Sequence, residues 1–555
     1  MTTPEHGFVA RALARHQFVR FILDEGGNPF GGLILSAAIL SGSASSLVLA
    51  SLNGASNALA TGKPSLLMAA AFGASLVVYV GATQYLLRAS GREIERSTHK
   101  LRCRLVDKLC NASFRSVEEI GGSKLYAAIG GEVQTICRAA TSIILLLQSV
   151  ILLFFSSVYL AYISVTAFFM LLGFVVVVGS IYTSHARQLR VVLFEAMQGE
   201  NRLLEFLVHF LNGFREIRMN AGRAGEITND FKSASLRSYE DKANAFAAIA
   251  TDNVFAQASM FLLIACVVFL LPQFSAGVMP ELPMIATVLL FMFGPIASVM
   301  TSESTFAAAN AAAKSLAETE QLLEADISVR ERSAIEVSAF QGLVLQDIVY
   351  CRLDKAGSES FRVGPVSLEV RPGEIVFITG GNGSGKSTLL NVLVGLYPRD
   401  SGEILVAGRA LTNAEIWRWQ AQVSAVFYSF HLFEKPYGLR GRSMEDVLDL
   451  IDELELDRDV LTTDGYFRSL ALSSGQRKRL ALITAILEDR PVLVLDEWAA
   501  DQDPYFKRKF YREILPTLKR RGKTIIAITH DDAYFDVADR VMKMESGQMV
   551  ELAAR

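Results

Sequence analysis

The chain has 555 residues, room for two or more domains. Hydrophobic residues make up 51% of it and the mean hydropathy is +0.32, which turns the reading toward a membrane before any soluble enzyme class. The net charge of −3 offers no basic excess, so nucleic acid is not an expected partner. The five cysteines (Cys103, Cys110, Cys137, Cys266 and Cys351) have no CxxC spacing, which argues against a zinc site or a disulfide framework. Cys103 and Cys110, seven apart, are expected to be packed thiols on one helix face.

Residues 1–30 are charged throughout and have no isolated apolar core before a cleavage site, so they do not read as a signal peptide. An amphipathic lead-in on the membrane surface is expected instead. Six stretches then approach the roughly 20 apolar residues that a membrane helix needs: 32–56, 65–87, 141–162, 166–184, 254–273 and 283–302. No charged residue lies between Gly31 and Gly62, Pro64 and Leu87, Ala139 and Ser184, or Asn253 and Pro280. A charge at mid-membrane costs about 2.5–3.5 kcal/mol on insertion scales, which explains spans this clean.

Lysine and arginine set the orientation. Segment 88–138 holds ten of them, from Arg88 to Arg138, and segment 185–251 holds nine, from Arg187 to Lys242. The links 161–165 and 271–282 hold none, and the link between the first two helices holds only Lys63. Both long segments and both termini are therefore expected in the cytoplasm. The long segments mix charge and apolar residues at helical spacing, which predicts membrane helices continued into the cytoplasm as two pairs of arms. The first arm pair is expected to turn within 116–136, where paired glycines stand at 121–122 and 130–131. Domain boundaries follow: a membrane domain over 1–325, a linker over 326–335 and an α/β domain over 336–555.

Gly380, Gly381, Asn382, Gly383, Ser384, Gly385, Lys386 and Ser387 fit GxxxxGK[ST], between an apolar strand ("EIVFITG") and a helical run. In such a loop the backbone amides and the helix N-terminus face phosphate. Lys386 would reach the β- and γ-phosphates of ATP, Ser387 would hold Mg²⁺, and Thr388 would assist. "PVLVLDE" delivers Asp496 and Glu497 at the end of a buried strand. Asp496 suits Mg²⁺ and Glu497 suits the base that activates water.

"LSSGQ" (Leu472–Gln476) resembles the signature motif of ABC transporters, which other P-loop ATPases lack. "AADQDP" is similar to the family's D-loop, with Asp503 at its aspartate, and "TIIAITHD" to its switch strand, with His530 facing the γ-phosphate. Six helices with long cytoplasmic extensions resemble the ABC exporter fold: an all-α six-helix transmembrane domain fused to an α/β P-loop ATPase. The resemblance implies a half-transporter in the bacterial inner membrane, among membrane lipids, that works with a second copy of itself. Ser473, Ser474, Gly475 and Gln476 of one copy would then meet the nucleotide held by Lys386 of the other.

"GGNGSGKSTL", "SAVFYSFHLF", "GQRKRLAL", "DEWAADQDP" and "GFREIRMNAGRAGEI" are similar to the bacterial cyclic-peptide exporter group, which includes exporters of lipopeptides and peptide siderophore precursors. Lys478, Trp498, Asp501 and Gln502 belong to this narrower match. A lipid flippase or a multidrug or lipid exporter is the alternative on the same scaffold, and a regulatory ABC protein that does not pump is a third reading. Two departures stand out. Tyr428 or Ser429 occupies the place of the family's usual glutamine. The adenine-stacking aromatic is expected at Arg352, with Tyr350 two residues earlier, so either would serve. The membrane helices offer Gln148, Tyr159, Tyr182 and Gln257 as large polar groups, which suits a bulky amphipathic cargo such as a peptide. Trp417, Trp419 and Trp498 read as packing.

Overall fold

The computed structural model describes residues 17–24, 31–60, 66–274, 276–324, 339–353, 359–435, 437–439, 442–461, 467 and 472–552. They form two compact units. One holds the chain up to Cys110 and Ile120–Leu322; the other holds Asn111–Glu119 and the chain from Leu323. The expected linker 326–335 lies outside the described residues.

The first unit is all helix. Six helices are long and apolar enough to cross a membrane: Gly32–Ser56, Leu66–Asn111, Gly122–Ile163, Val165–Tyr182, Ala221–Gln273 and Met279–Glu324. Helix Leu66–Asn111 has 46 residues, about 70 Å at 1.5 Å per residue, more than twice the roughly 30 Å hydrocarbon layer. Val165–Asn212 (48 residues) and Ala221–Phe274 (54 residues) are as long, so each expected arm continues its membrane helix without a break. Side chains such as Leu66, Val77, Phe154, Phe169, Val176 and Phe269 are exposed, the inverse of a soluble surface and what a lipid solvent requires. Between the helices, hydroxyl and amide pairs replace a hydrophobic driving force that lipid does not supply: Ser41 with Thr83 at 2.7 Å, Gln148 Nε2 donating to Ser41 Oγ at 2.9 Å, and Tyr182 OH donating to the Met300 carbonyl at 2.5 Å. Two apolar cores run through the bundle, one around Leu86, Ile136, Ile144 and Leu316, the other around Leu160, Leu263, Val288 and Met292.

Three expectations change. The lead-in helix Gln17–Asp24 buries Phe18 and Val19 completely in the first of these cores. It is therefore anchored by packing. The first arm turns at 112–121, around the short helix Phe114–Ile120, and not at the second glycine pair. Gly130 and Gly131 lie inside a π-helical segment, Ala127–Glu132, that runs straight into Val133–Ile163. Cys103 and Cys110 are exposed rather than packed, because their helix turns that face outward.

The second unit is an α/β domain with two sheets. Strands β1 (Leu343–Leu353), β2 (Glu359–Val370), β4 (Ser401–Val406) and β5 (Arg409–Leu411) form an antiparallel sheet in the order β2-β1-β4-β5. Strands β3 (Ile375–Gly380), β6 (Val423–Val426), β7 (Val492–Asp496), β8 (Thr524–Ile528), β9 (Arg540–Glu545) and β10 (Gln548–Leu552) form the central sheet in the order β10-β9-β3-β8-β7-β6. All of its pairs are parallel except β9–β10. The inner strands β3, β7 and β8 are almost wholly apolar because both of their faces are covered. Successive side chains alternate between two cores: Ile375, Phe377, Leu493, Leu495 and Ile525 face one, while Val376, Ile378, Val492, Val494 and Ile526 face the other. The C-terminal ends of β3, β7 and β8 thereby bring three loops to one edge, where a doubly wound sheet binds ligands.

Candidate nucleotide site

The loop after β3 leads into helix Lys386–Leu393, whose N-cap Gly385 has φ +101. A side chain there would be strained, and its Cβ would meet Val363 at 3.0 Å. Asn382, Gly383, Gly385, Lys386, Ser387 and Thr388 line a cavity of about 460 Å³, closed by Phe361 and Glu497. Lys386 is buried, and its Nζ donates to the carbonyls of Gly380 (2.9 Å) and Gly381 (3.0 Å). Ser384 is buried in the loop beneath them.

Asp496 closes β7, and Glu497 follows it in a left-handed conformation, φ 47 and ψ 39. That geometry costs a non-glycine residue about 1–2 kcal/mol and swings the Glu497 carboxylate off the strand. Glu497 Oε1 lies 3.2 Å from His530 Nε2, just beyond the end of β8. An imidazole there can orient the carboxylate that would polarise a water. Burial, and secondarily the neighbouring Glu497 charge, push the Asp496 carboxyl above its usual range, against the pull of the Tyr428 amide at 3.4 Å. Asp496 Oδ1 is buried with no protein hydrogen bond. A buried carboxylate oxygen without a donor beside a phosphate loop fits a hard cation, so Asp496, with the Ser387 hydroxyl on the loop, suits Mg²⁺.

The LSSGQ residues do not line this cavity. Ser473 and Gln476 form a capping box at the start of helix Ser474–Leu487: the Gln476 amide donates to Ser473 Oγ at 3.2 Å, and the Ser473 amide to Gln476 Oε1 at 2.9 Å. Their side chains serve the helix, which leaves Ser474, exposed, and Gly475 at the tip. A Cβ on Gly475 would stand 2.9 Å from the Asp501 carbonyl, so glycine there lets the segment after Glu497 pass close. Asp503 caps the next helix, accepting from the Phe506 amide at 2.9 Å, and also takes Arg479 Nη2 at 3.0 Å. The amide, ahead of the arginine, holds its carboxyl below the usual range.

The adenine expectations fare differently. Tyr350 is buried and stacked on Tyr397, with centroids 5.1 Å apart and planes 6° apart, so it is a packed strand residue without a face open to a purine. The Tyr397 hydroxyl, pushed up to about 12 by burial and by Glu118, donates to Glu118 Oε2 at 2.7 Å. Arg352 is exposed, 3.8 Å from Glu118. Phe361, which the sequence reading missed, pairs with Arg352 across β1 and β2 and lies at the cavity wall. The available signal was an aromatic residue entering β2, but its partner in the hairpin was not legible from spacing. Tyr428 and Ser429 are exposed, at the place expected for the family's glutamine. Trp419 and Trp498 are fully buried, as packing residues should be.

A glycine-rich loop, a buried aspartate, a strained glutamate against a histidine, and a capped helix N-terminus outside the cavity lining occur together on a chain whose described residues include six membrane-length helices. Residues 363–500 match the family model described as ABC transporter. Over 314 residues it is 40% identical to the ATP-binding protein SyrD of Pseudomonas syringae pv. syringae, covering 54% of this chain and 55% of that protein. It is 32% identical over 205 residues to an ATP-dependent lipid A-core flippase of Hahella chejuensis, covering 34% of each. The chain thus spans about half the length of the first relative and a third of the second. Among solved structures, a bacterial Atm1-family ABC exporter with ATP bound superposes with a TM-score of 0.72 at 19% identity, covering 94% of both chains. The chain shares the fold of that solved structure, and its six apolar helices make it a multi-pass membrane protein.

Proposed function

We propose that the chain is an ATP-hydrolysing exporter that works as a homodimer and moves a peptide natural product or peptide siderophore precursor out across the bacterial inner membrane. One observation carries the ATPase and dimer reading: the cavity has a complete P-loop side, while the LSSGQ residues are not among those that line it. A helix N-terminus suited to phosphate, but outside the lining of the P-loop cavity among the described residues, calls for the phosphate of a second copy. Lys386 would bind the phosphates, Asp496 and Ser387 the Mg²⁺ that neutralises their charge, and Glu497, held by His530, would take the proton of the attacking water. Phe361 is the platform proposed for the purine. Cargo enters from the cytoplasmic side between the copies, nucleotide binding closes the ATPase units, and the membrane helices open outward.

The cargo class is supported by the resemblance of several of its motifs to the cyclic-peptide exporter group. An apolar cavity of about 480 Å³ in the membrane unit, lined by Phe168, Phe174, Tyr182, Ser259, Met260 and Met292 among others, agrees with an amphipathic solute. Gln148 is engaged by Ser41, Tyr182 combines a helix contact with the cavity wall, and Gln257 is exposed. The flippase relatives keep a lipid cargo as the second reading.

The test is ATP turnover in nanodiscs with the producing cell's secreted peptides or, separately, its lipids, with Glu497→Gln as the blank. The variant should bind ATP yet turn it over about 10²–10⁴-fold more slowly, as expected for loss of a general base. Stimulation by the peptide fraction alone supports the proposal, and stimulation by lipid alone replaces the peptide by the lipid reading. Turnover no faster than that of the blank removes the ATPase itself.

A further inference from the structure

Lys478 takes no part in the chemistry above, yet it is the most confined cation near it. It is the fifth residue of helix Ser474–Leu487, and its side chain is 3% exposed. A buried ammonium is tolerated only where its donors are satisfied. Here Nζ donates to the main-chain carbonyl of Glu497 at 2.9 Å and meets Asp501 Oδ2 at 2.9 Å. The Tyr428 ring lies 5.2 Å from it, within range of a cation–π contact. The contact runs both ways, because Trp498 Nε1 donates to the Lys478 carbonyl at 2.8 Å.

The carbonyl it holds belongs to the one residue of the acidic pair in left-handed geometry. A strained backbone persists when its surroundings over-determine it. The Glu497 amide donates to the Ile528 carbonyl of β8 at 3.0 Å, and its carbonyl accepts from the Ala500 amide at 3.2 Å as well as from Lys478, so the residue is held at its nitrogen by the sheet and at its oxygen by the ammonium and the following turn. Tyr428, beneath the ammonium, donates its amide to Asp496. One side chain therefore borders the segments that carry the proposed base and the proposed cation ligand.

We propose that Lys478 is a positioning residue for ATP hydrolysis: by holding the Glu497 carbonyl it fixes the twist that aims the carboxylate. The assignment rests on the ATPase reading above. A second role, fastening one helix to the next turn, would affect stability and nucleotide binding alike. Positioning predicts a split instead, since nothing in Lys478 reaches the nucleotide cavity.

The experiment compares the full-length parent with Lys478→Met, which keeps the reach and removes charge and donors, and with Lys478→Arg, which keeps both. Turnover, KM for ATP, fluorescent-nucleotide affinity and thermal midpoint are measured in nanodiscs. For Lys478→Met, kcat should fall about 10–100-fold, the usual scale for loss of an orienting contact, with KM and nucleotide affinity within about twofold. Lys478→Arg should recover at least tenfold of the loss, and Lys478→Met should lower the residual rate of Glu497→Gln no further, because the two act through one carboxylate. A Met variant within twofold of parental kcat overturns the inference. So does a loss of kcat that KM and nucleotide affinity follow, or an Arg variant as slow as the Met variant. If Lys478→Met does not fold, the Arg variant decides by its own kcat: near-parental turnover supports positioning, and a well-folded but slow Arg variant sinks it. A parent no faster than Glu497→Gln removes the ATPase reading, whereas an active parent with an unaffected Met variant removes only the role of Lys478.

Discussion

Phe361 and Tyr350 are two aromatic residues of one hairpin with different fates. Tyr350 buries its ring against Tyr397 in the core of the antiparallel sheet, while Phe361 enters β2 at the mouth of the phosphate cavity. A ring in contact with the Gly385 turn, 3.3–3.4 Å from the Cβ that an alanine would carry, is the platform proposed for the base of a nucleotide whose phosphates would lie on that turn. Phe361→Ala should therefore raise KM for ATP by about 5–100-fold, as loss of base stacking worth roughly 1–3 kcal/mol predicts, with little change in kcat. Tyr350→Phe, which keeps the buried stack, should leave KM near the parental value. ATP-concentration series on the two variants check this, and an unchanged KM in Phe361→Ala would return the purine to Arg352. The phosphate motif was legible because its spacing is dictated by the ligand. The purine platform was not, because it depends on which residues two strands bring opposite each other.

Among the elements, the short helices at the sheet edge matter most. Helix Lys386–Leu393 offers its N-terminus inside the cavity, and helix Ser474–Leu487 offers a capped N-terminus outside it. If each pairs with the other element in a second copy, two lesions can be separated. Lys386→Ala and Gly475→Val, the latter pressing a side chain on the Asp501 carbonyl, should each abolish turnover. Co-expressed, they should form mixed dimers in which one site carries both lesions and the other carries none. Random pairing then restores about a quarter of the parental sites, half of the dimers having one intact site of two. Absence of any recovery in purified mixed dimers would contradict a composite site in which one intact site suffices. The long helices were readable from missing charges alone, since lipid imposes that pattern residue by residue. The turn at 112–121 was misplaced because paired glycines signal a break in water, whereas Gly130 and Gly131 sit in a helix whose continuity is maintained by its neighbours.

At the scale of the whole molecule, the chain divides its work between two solvents. The α/β unit buries its apolar strands between two cores, and the membrane unit turns Phe154, Phe169 and Phe269 outward. The fold class and the order of the motifs were open to inspection in the sequence because each answers to a local rule. The cargo was not, because a cavity wall is assembled from helices far apart in the chain. That wall, from Leu153 to Met300, contains no ionisable carboxylate, ammonium or guanidinium. Each elementary charge that crosses a membrane is worth about 2.3 kcal/mol per 100 mV, and a cargo passing along this wall would meet no fixed charge that has to move. For a cargo of zero net charge, transport should be electrically silent. Proteoliposomes clamped at opposite potassium diffusion potentials should export at equal rates, and a marked voltage dependence would place a charged group, of the protein or of its passenger, in the path.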